Sequence, residues 1–225
     1  MRERETEDGP TQQEVFDRIA PGWYSRRHWT IFRRELEELA EKWRGGRVLN
    51  IGCGHGADFL PFCKTFELHG LDFSSEMLRF AVKYALKFRF DASLVKADAS
   101  ALPYASNSFD WAIAVASYHH LQSQEARREA LAELRRVLKP GGEAFITVWN
   151  RWQPAFWSKR KETHVRWRTN GVELQRYYYL FSRGELEATV RRAGLTVVRS
   201  FAERSYRFPV MQFSKNICLL VAKID

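Results

Sequence analysis

The chain has 225 residues, of which 45% are hydrophobic, and this suits one α/β domain that buries a real core. Three sparse cysteines form no CxxC pair, which argues against a metal site and against a secreted disulfide framework. There is no apolar signal core and no apolar run of membrane-spanning length, so we expect a cytoplasmic protein that does not associate with a membrane. The net charge of +9, mostly from arginine, favours a nucleic-acid partner.

The N-terminal segment predicts two helices. Thr11 and Glu14 have capping-box spacing, which predicts a short helix that runs through Ile19 and ends at Pro21–Gly22. A second helix is expected to stop at Gly45–Gly46. Its apolar residues share one helical face, namely Phe32, Leu36, Leu39 and Trp43.

Short apolar strands and helices then alternate along the chain. Strands are predicted at 47–51, 67–71, 92–96, 109–116 and 143–149, and helices at 57–65, 74–88 and 124–138. This alternation implies βαβ units and a parallel sheet. The chain ends differently: a helix at 184–193 is followed by strands at 196–201 and 216–223. Because no helix separates these two strands, we expect them to pair antiparallel at the sheet edge.

The most informative motif is a glycine loop, GCGHG, directly after the first predicted strand. Gly52, Gly54 and Gly56 permit a tight turn and close backbone approach by a ligand, beside free amides of the following segment. The second strand ends at Asp72, 20 residues after Gly52, where a carboxylate can accept hydrogen bonds from both ribose hydroxyls. Asp98–Ala99 follow the third strand, and ligands bind outside such strand ends. Together these features predict a nucleoside-type cofactor.

The segments around these residues resemble the class I S-adenosylmethionine-dependent methyltransferase family. The resemblance rests on VLNIGCGHG (48–56), GLDFS (70–74), KADASALPYASNSFD (96–110), HHL (119–121), LAELRRVLKPGGEAFI (131–146) and RAGLTVVRS (192–200). It implies an α/β, Rossmann-like fold, in which a mostly parallel seven-stranded sheet has an antiparallel last strand and helices on both faces. It also implies S-adenosylmethionine as the cofactor.

The same resemblance implies roles for single residues. The Gly52–Gly56 backbone would hold the methionine end of S-adenosylmethionine, Asp72 the ribose and Asp98 the adenine amino group. Ala116 would lie near the sulfonium. The predicted cofactor site is completed by Asn50, Phe73 and Ala99. The family usually has an acidic residue at Asn50, which can accept a hydrogen bond but lacks the charge that attracts an ammonium group.

Residues 151–183, here called the lid, are basic and aromatic. They contain eight cations and only two glutamates, together with the aromatic residues Trp152, Phe156, Trp157, Trp167, Tyr177, Tyr178, Tyr179 and Phe181. Cations can track a phosphate backbone while aromatic rings stack on unpaired bases. Equally, the aromatic side chains can pack inward beneath a solvated basic rim. The composition of the lid does not decide between these two interpretations.

A second resemblance favours RNA. The segments VFDRIAPGWYSRRH (15–28), ASYHHL (116–121), RYYYLFSRGEL (176–186) and 216–223 are similar to methyltransferases that act on carboxymethyluridine at the wobble position of tRNA. The similarity implies that tRNA is the substrate and that the product is a methyl ester. In the lid the chain has Tyr179 where that family has His.

The resemblance also implies a partner, a small zinc-binding methyltransferase activator protein. It would add strands beside the third strand, an expected sheet edge, near residues 88–95. That segment, FRFDASLV, is short and partly apolar, which suits strand addition. The alternative is an ordinary edge protected by Arg89 and Lys96.

Ester formation would need little from the protein, because a carboxylate with a pKa of about 4 is already ionised at neutral pH. The predicted catalytic residues are Arg27, His119 and His120. We expect Arg27 to hold the substrate carboxylate bidentately, the alternative being a salt bridge that closes the N-terminal arm. One of the two histidines is expected to contact the substrate and the other to bond a backbone group. Predicted substrate-binding residues are Arg27, Trp149, Arg151, Arg176 and Tyr177.

The sequence is therefore interpreted as a disordered tail (1–10) and one methyltransferase domain (11–225). The domain would include a helical arm at 11–46 and the lid as an insertion. Two other functions stay open. The chain could methylate a small molecule, such as a quinone precursor or an organic acid, or it could be a non-enzymatic nucleic-acid-binding module, which only Asn50 supports.

Overall fold

The computed structural model describes residues 9–169, 171–208 and 210–225. The α-helices in this part of the chain are α1 (Gln12–Arg26), α2 (Arg33–Trp43), α3 (Ser75–Phe88), α4 (Gln124–Val137) and α5 (Arg183–Arg192). The β-strands of the same residues are β1 (Gly46–Ile51), β2 (Phe66–Asp72), β3 (Ser93–Lys96), β4 (Phe109–Val115), β5 (Leu138–Trp149), β6 (Glu162–Thr169), β7 (Val172–Tyr179), β8 (Thr196–Ala202) and β9 (Asn216–Ala222).

Seven strands form one sheet in the order β3-β2-β1-β4-β5-β9-β8. Strands β1 to β5 pair in parallel, whereas β9 lies antiparallel between β5 and β8. Strands β4 and β9 are buried along most of their length. This is expected for continuous apolar strands in the middle of a sheet that is covered on both faces. The pairing of β8 with β9 agrees with the antiparallel ending expected from the sequence.

Helices cover both faces of this sheet. On one face α4 and α5 contribute Leu134 and Val190 to an apolar cluster with strand residues. On the other face α2 and α3 contribute Leu36 and Tyr84 to a second cluster. Both clusters are closed to solvent, because all four side chains are fully buried. The predicted fold class is confirmed: a Rossmann-like, mostly parallel sheet with an antiparallel last strand.

Helix α1 lies over the carboxyl edge of the sheet and is longer than predicted. The capping box is present, with the Glu14 N–H donating to Thr11 Oγ1 at 3.3 Å. The predicted end at Pro21–Gly22 is wrong, because the helix continues to Arg26 with Pro21 inside it. Packing offsets the cost of the proline: Tyr24, beyond it, stacks on Phe80 of α3 with ring centroids 4.8 Å apart.

Two other boundaries differ from the sequence-based prediction. The helix expected at 57–65 is wrong, because only a 3₁₀ turn, Ala57–Phe59, follows the glycine loop. Pro61 has no N–H for helical bonding, and the neighbouring amides bond three residues back, as Phe62 N–H does to the Phe59 carbonyl. Strand β5 begins at Leu138 and not at 143 as predicted, so Pro140–Gly142 lies within a strand.

The lid contains an antiparallel hairpin that the sequence analysis did not predict. Strands β6 and β7 pair from Glu162 with Tyr179 to Thr169 with Val172. Its sequence signal was available, since Asn170–Gly171 stands between two segments that alternate in polarity, although residue 170 lies outside the described residues. Most of the predicted tail, residues 1–8, also lies outside them. Among the described helices, none is long and apolar enough to cross a membrane.

Candidate functional site

A cavity of about 810 Å³ opens at the carboxyl edge of the sheet, between α1 and the loops that follow β1, β2 and β4. Nine of the residues predicted for the site line it: Arg27, Gly52, Gly54, Asp72, Phe73, Asp98, Ala99, Ala116 and His120. Seven others lie outside the lining: Asn50, Gly56, His119, Trp149, Arg151, Arg176 and Tyr177. The structure therefore gathers the cofactor-side residues more completely than those of the substrate side.

The glycine loop needs its glycines for two separate reasons. Gly52, Gly54 and Gly56 have φ angles of +70°, +53° and +87°, a region that side chains with a Cβ rarely adopt. In addition, a Cβ at Gly52 would lie 2.5 Å from Cβ of Ser117, in the loop after β4. The first glycine thus allows two strand-end loops to meet at the floor of the cavity.

Asp72, at the end of β2, is held by backbone amides. Its Oδ2 accepts the Gly54 N–H at 2.8 Å, and its Oδ1 accepts the Ser74 N–H at 2.9 Å. Burial raises the pKa of Asp72 to about 6, although the amides of Ser74 and Gly54 favour the charged form. Each oxygen keeps a second lone pair, so the carboxylate can still accept hydrogen bonds from a pair of hydroxyls in the cavity.

Asp98 is the second carboxylate at this edge of the sheet. Its side chain is exposed, whereas that of Asp72 is buried. Its Oδ1 accepts both the N–H and the hydroxyl of Ser100, at 2.8 and 2.7 Å. These two bonds fix the side chain at the rim of the cavity, two residues beyond β3. An exposed acceptor at the rim suits the outer end of a ligand whose middle is bound at Asp72.

Ala116 follows β4 with a φ of +52°, which is uncommon for a residue with a Cβ. Its N–H donates to both the carbonyl and the hydroxyl of Thr147, at 3.1 and 2.9 Å, and these bonds hold the conformation. Next to it, the buried hydroxyl of Ser117 has no hydrogen-bond partner within the described residues. Local backbone strain of this kind clusters at functional sites.

Asn50 is fully buried at the end of β1, behind the glycine loop. Neither its amide nitrogen nor its amide oxygen has a partner in the part of the chain that the structure describes. His55 in the loop has an unpartnered Nε2 as well, and burial lowers its pKa to about 4, so the ring is neutral. Buried polar groups are normally satisfied, and His55, which lines the cavity, leaves its Nε2 available to a polar ligand, with Asn50 unpartnered behind the lining.

Arg27 closes the other side of the cavity, one residue beyond α1. Its guanidinium lies over the ring of Trp23, 4.2 Å from the centroid, and burial lowers the pKa of this arginine. No carboxylate pairs with it among the described residues, so the salt bridge considered as an alternative is not formed there. Asp58 lines the same cavity and raises the pKa of Arg27 from a distance, but it does not form an ion pair with it, so the half-buried guanidinium can still bind an anionic substrate.

The two histidines after β4 differ in their contacts. His119 is buried, and its Nδ1 accepts the Trp149 N–H at 3.1 Å, while burial lowers its pKa well below the usual value. His120 donates from Nδ1 to the Tyr177 carbonyl at 2.9 Å, and burial lowers its pKa to about 3. His120 lines the cavity as a neutral ring whose Nε2 is left as an acceptor.

The remaining predicted substrate residues form the wall behind the cavity. Arg176 is buried, donates to the Tyr178 hydroxyl at 2.8 Å and packs against Trp167 at 5.0 Å. Tyr177 donates its hydroxyl to the Gln122 carbonyl at 3.1 Å. Trp149 stacks on Tyr178 at 4.1 Å, and Arg151 points away over Trp152 at 5.3 Å.

Sequence reasoning missed several residues that the structure brings to the cavity. Trp23, Asp58 and Ser117 line it, and burial raises the pKa of Asp58 to about 6. Asp58 lies two residues after the segment VLNIGCGHG and Ser117 lies within ASYHHL, so these two motifs were the signal that could have found them. Trp23 lies within the matched segment VFDRIAPGWYSRRH, but it was not expected at the cavity because the sequence placed the end of its helix at Pro21–Gly22.

A family model described as a methyltransferase domain matches residues 48–142. A candidate methyltransferase of Encephalitozoon cuniculi is 30% identical over 194 residues, which are 83% of this chain and 87% of the relative. The chain belongs to the class I S-adenosylmethionine-dependent methyltransferase family. The cofactor of this methyltransferase is S-adenosylmethionine, and the cavity suits it in three respects: a glycine cradle, a buried hydroxyl acceptor and unpartnered polar atoms at one end.

Two further relatives bear the name tRNA (carboxymethyluridine(34)-5-O)-methyltransferase. The one from Schizosaccharomyces pombe is 26% identical over 220 residues, which are 85% of this chain and 91% of the relative. The one from Mus musculus is 38% identical over 136 residues, which are 60% of this chain and 19% of the relative. The methyltransferase thus spans about a fifth of the mouse protein.

Solved structures share the fold at low identity. The CcbJ methyltransferase of Streptomyces caelestis is 17% identical, with 96% of this chain and 100% of that chain covered at a TM-score of 0.78. A chain from the complex between the Haloferax volcanii Trm112 methyltransferase activator and a candidate methyltransferase is 19% identical. There the coverage is 93% of this chain and 98% of that chain, at a TM-score of 0.64.

Proposed function

We propose that this methyltransferase esterifies the carboxymethyl group of a modified wobble uridine in tRNA. The observation that carries the proposal is Arg27, a cation that lines the cavity without a carboxylate partner among the described residues. The names of the S. pombe and mouse relatives support the same substrate. A carboxylate substrate would supply the ion-pair partner that Arg27 lacks.

On the donor side, the polar groups along the sheet edge would hold S-adenosylmethionine. The Gly52–Gly56 loop and the unpartnered amide of Asn50 would take the methionine end, and Asp72 would accept hydrogen bonds from the ribose hydroxyls. Asp98 at the rim, with Phe73 and Ala99 beside it, would bind the adenine. When bound, S-adenosylmethionine supplies a methyl group made electrophilic by its sulfonium, which the strained backbone at Ala116 would face.

On the substrate side, the residues would orient the carboxylate and exclude water. Arg27 would fix both carboxylate oxygens, and Nε2 of His120 would accept a hydrogen bond from the uridine ring or ribose. No general base is required, because the nucleophile is already ionised at neutral pH. Trp23 beneath Arg27 and Phe16 against His120 wall the site with apolar surface, which strengthens the charge interactions inside it.

The activator would bind beside β3. This strand is at one end of the sheet order, so its outer edge is open for strand addition near residues 88–95. Apolar side chains are exposed close by, including Trp29, which is 56% exposed and packs against Phe88, and Leu86, which is 75% exposed. A small zinc-binding protein that covers these side chains would explain their exposure. A chain that is soluble and fully active alone would refute this part of the proposal.

The proposal is tested by incubating tRNA that carries 5-carboxymethyluridine with labelled donor, with and without the activator. Mass spectrometry of the nucleosides should show a gain of one methyl group, which mild alkali removes because an ester hydrolyses and a C- or N-methyl group does not. An alkali-stable product, or no product on tRNA, would contradict the proposed reaction.

Arg27→Ala should raise KM for tRNA by roughly 10- to 100-fold, since a charge-assisted hydrogen bond contributes about 1.5–3 kcal/mol. Binding of S-adenosylhomocysteine should stay within about twofold of wild type. The neighbouring Arg26→Ala removes the same charge from an exposed position and serves as the matched control. Equal effects of the two variants would exclude a specific role of Arg27.

A small-molecule substrate is the second candidate, and the shape of the site favours it. The cavity holds about 810 Å³ and is walled by Phe16, Trp23, Trp29 and Phe73, a lining that suits a flat aromatic compound such as a quinone precursor. Methyl transfer to tRNA should fall steeply as salt is raised, whereas transfer to a neutral small molecule should not.

A further inference from the structure

Two loops meet beside the carboxyl end of β5, outside the main cavity. One follows β5 directly, and the other connects β8 to β9. The Asn150 side chain joins them by donating to the carbonyls of Gln212 and Ser214, at 2.7 and 2.9 Å. The ring of Trp157 packs edge-on against Phe213, with centroids 5.7 Å apart. The loops therefore present one surface, here called the basic aromatic face, which comprises residues 150–161, 204–208 and 210–215.

The basic aromatic face concentrates positive charge. Its residues include no Asp or Glu and seven cations, namely Arg151, Lys159, Arg160, Lys161, Arg204, Arg207 and Lys215. Two of these are neutralised nearby, Lys161 by Glu185 and Arg204 by Glu38. The other five form no ion pair with any residue that the structure describes. A chain of net charge +9 thus places a large part of that charge on one small area.

The same face exposes large apolar side chains. Phe208 is 75% exposed and Trp157 is 59% exposed. The others, between 36% and 49% exposed, are Trp152, Val210, Met211 and Phe213. Trp152 and Trp157 are the two of these that belong to the lid, and a lid that packed all its aromatic residues inward, the alternative considered for its composition, would not leave them in solvent. Apolar groups gathered in this way mark a binding surface.

A smaller cavity lies within the face. It has a volume of about 400 Å³ and is lined by Trp152, Met211 and Arg183, among others. One terminal nitrogen of Arg183, Nη2, is buried without a hydrogen-bond partner in the described residues, while its Nη1 donates to the Ser200 hydroxyl. An aromatic wall with an unsatisfied guanidinium beneath it suits a base or a phosphate oxygen.

We infer that the basic aromatic face binds unpaired RNA next to the nucleotide in the main cavity. Cations paired with exposed rings fit phosphates and unstacked bases together, whereas an apolar protein partner would leave five cations without counter-charges. The face adjoins the wall of the main cavity, because the ring of Trp149 stacks on Phe156 of the face, with centroids 5.4 Å apart, and on Tyr178 behind that cavity. This inference rests on the proposed tRNA substrate. It states which surface of the protein binds the tRNA nucleotides that lie outside the main cavity.

The face is tested with Lys159→Glu/Arg160→Glu and, separately, Phe208→Ala, by measuring tRNA binding to the full chain with fluorescence anisotropy. The charge reversal should weaken binding at least tenfold at 0.1 M salt and reduce the slope of log K against log salt by about 1.4, since each single-strand phosphate contact contributes about 0.7. Loss of one stacked ring should weaken binding by about fivefold or more. Calorimetry with S-adenosylhomocysteine should give wild-type affinity for both variants, which also shows that they fold.

The matched control is Lys64→Glu/Arg192→Glu, the same change of charge at two exposed residues that precede β2 and β8 at the opposite edge of the sheet. It should bind tRNA with an unchanged slope and within about threefold of wild type. Face variants that bind like this control would overturn the inference while leaving the proposed reaction intact. A wild-type chain that binds no tRNA would overturn both. If the wild-type chain formed a dimer that the face variants dissociated, the partner of the face would be a second copy of the chain and not RNA.

Discussion

The two halves of the main cavity are built by different means. On the donor half, both carboxylates are fixed within their own loops, Asp72 by Ser74 and Asp98 by Ser100, and Asp72 also accepts the Gly54 N–H, 18 residues away. On the substrate half, the contacts join distant segments: Gln12 in α1 brackets the backbone of Tyr177 in β7, 165 residues away. The donor half is therefore built from short motifs at neighbouring strand ends of one sheet, whereas the substrate half exists only once the helical arm and the hairpin have packed together.

Gly52 offers the strongest test of the donor half. Gly52→Ala places a Cβ 2.5 Å from that of Ser117 and strains a backbone at φ +70°, so the loop must move. We expect affinity for S-adenosylhomocysteine to fall by about 100-fold or more, because the backbone amides of the glycine loop are displaced together. Isothermal titration calorimetry measures the loss.

The matched control for this change is Gly141→Ala. Gly141 has a φ of +79°, but its Cβ would meet no atom within 4 Å and it lies outside the cavity. This variant should lose roughly 1–2 kcal/mol of stability from backbone strain and keep wild-type affinity. If Gly52→Ala bound within threefold of wild type, close packing of the two loops would not matter for the donor.

The next effect concerns the protonation of Asp72. Its pKa is raised to about 6, so the carboxylate takes up a proton as the pH falls through that value and then loses part of its capacity to accept hydrogen bonds. Affinity for S-adenosylhomocysteine should therefore be about tenfold weaker at pH 5 than at pH 7, since ligand and proton compete for one charged form. Asp72→Asn should bind weakly at both pH values. A wild-type affinity that is flat between pH 5 and 7 would contradict this role of Asp72.

The difference between the halves also explains what could be predicted from sequence. The order of strands and helices and the donor residues follow from short-range signals: apolar runs, glycines with left-handed backbone and acids at strand ends. The helix predicted at 74–88 is an example: its N-cap is Ser74, whose hydroxyl accepts the Met77 N–H at 3.0 Å. Such signals act within a few residues and therefore survive in the linear sequence.

Predictions were wrong where tertiary packing outweighs local preference. Pro21 is a valid stop signal, but the rings beyond it gain more by packing on α3 than the proline costs, so α1 continues and carries Arg27 to the cavity. Neither the hairpin of the lid nor the burial of Arg176 against Trp167 was predicted, because both depend on contacts between segments. The predicted roles of His119, Trp149 and Tyr177 in binding stay predictions, and their contacts place them behind the cavity wall.

Arg176 provides a test of the substrate half. It is a buried cation with no carboxylate partner in the described residues, and its Nε is unpartnered, so its burial costs stability. Arg176→Met keeps the length and apolar packing, and should leave the free energy of unfolding in urea unchanged or raise it by about 1 kcal/mol. KM for tRNA should nevertheless rise about tenfold, because positive charge behind the cavity is lost.

Tyr178→Phe is the companion variant for Arg176. It removes the hydroxyl that accepts the Arg176 N–H but keeps the ring that stacks on Trp149. Its effect on KM should be smaller than that of Arg176→Met, since the charge remains. If Arg176→Met destabilised the fold by several kcal/mol with unchanged KM, Arg176 would be a structural residue and not a substrate contact.

The smallest expected effect is at the cap of α1. Thr11→Ala removes the side-chain bond to the Glu14 N–H, which should cost about 1 kcal/mol in urea unfolding, whereas Thr11→Ser keeps the hydroxyl and should cost less. Methylation of tRNA should change less than twofold, because buried Val15 and Ile19 anchor the helix to its neighbours and hold Arg27 at the far end. A large loss of activity with Thr11→Ala would mean that local capping, and not tertiary packing, positions Arg27, and the contrast between the two halves would then fail.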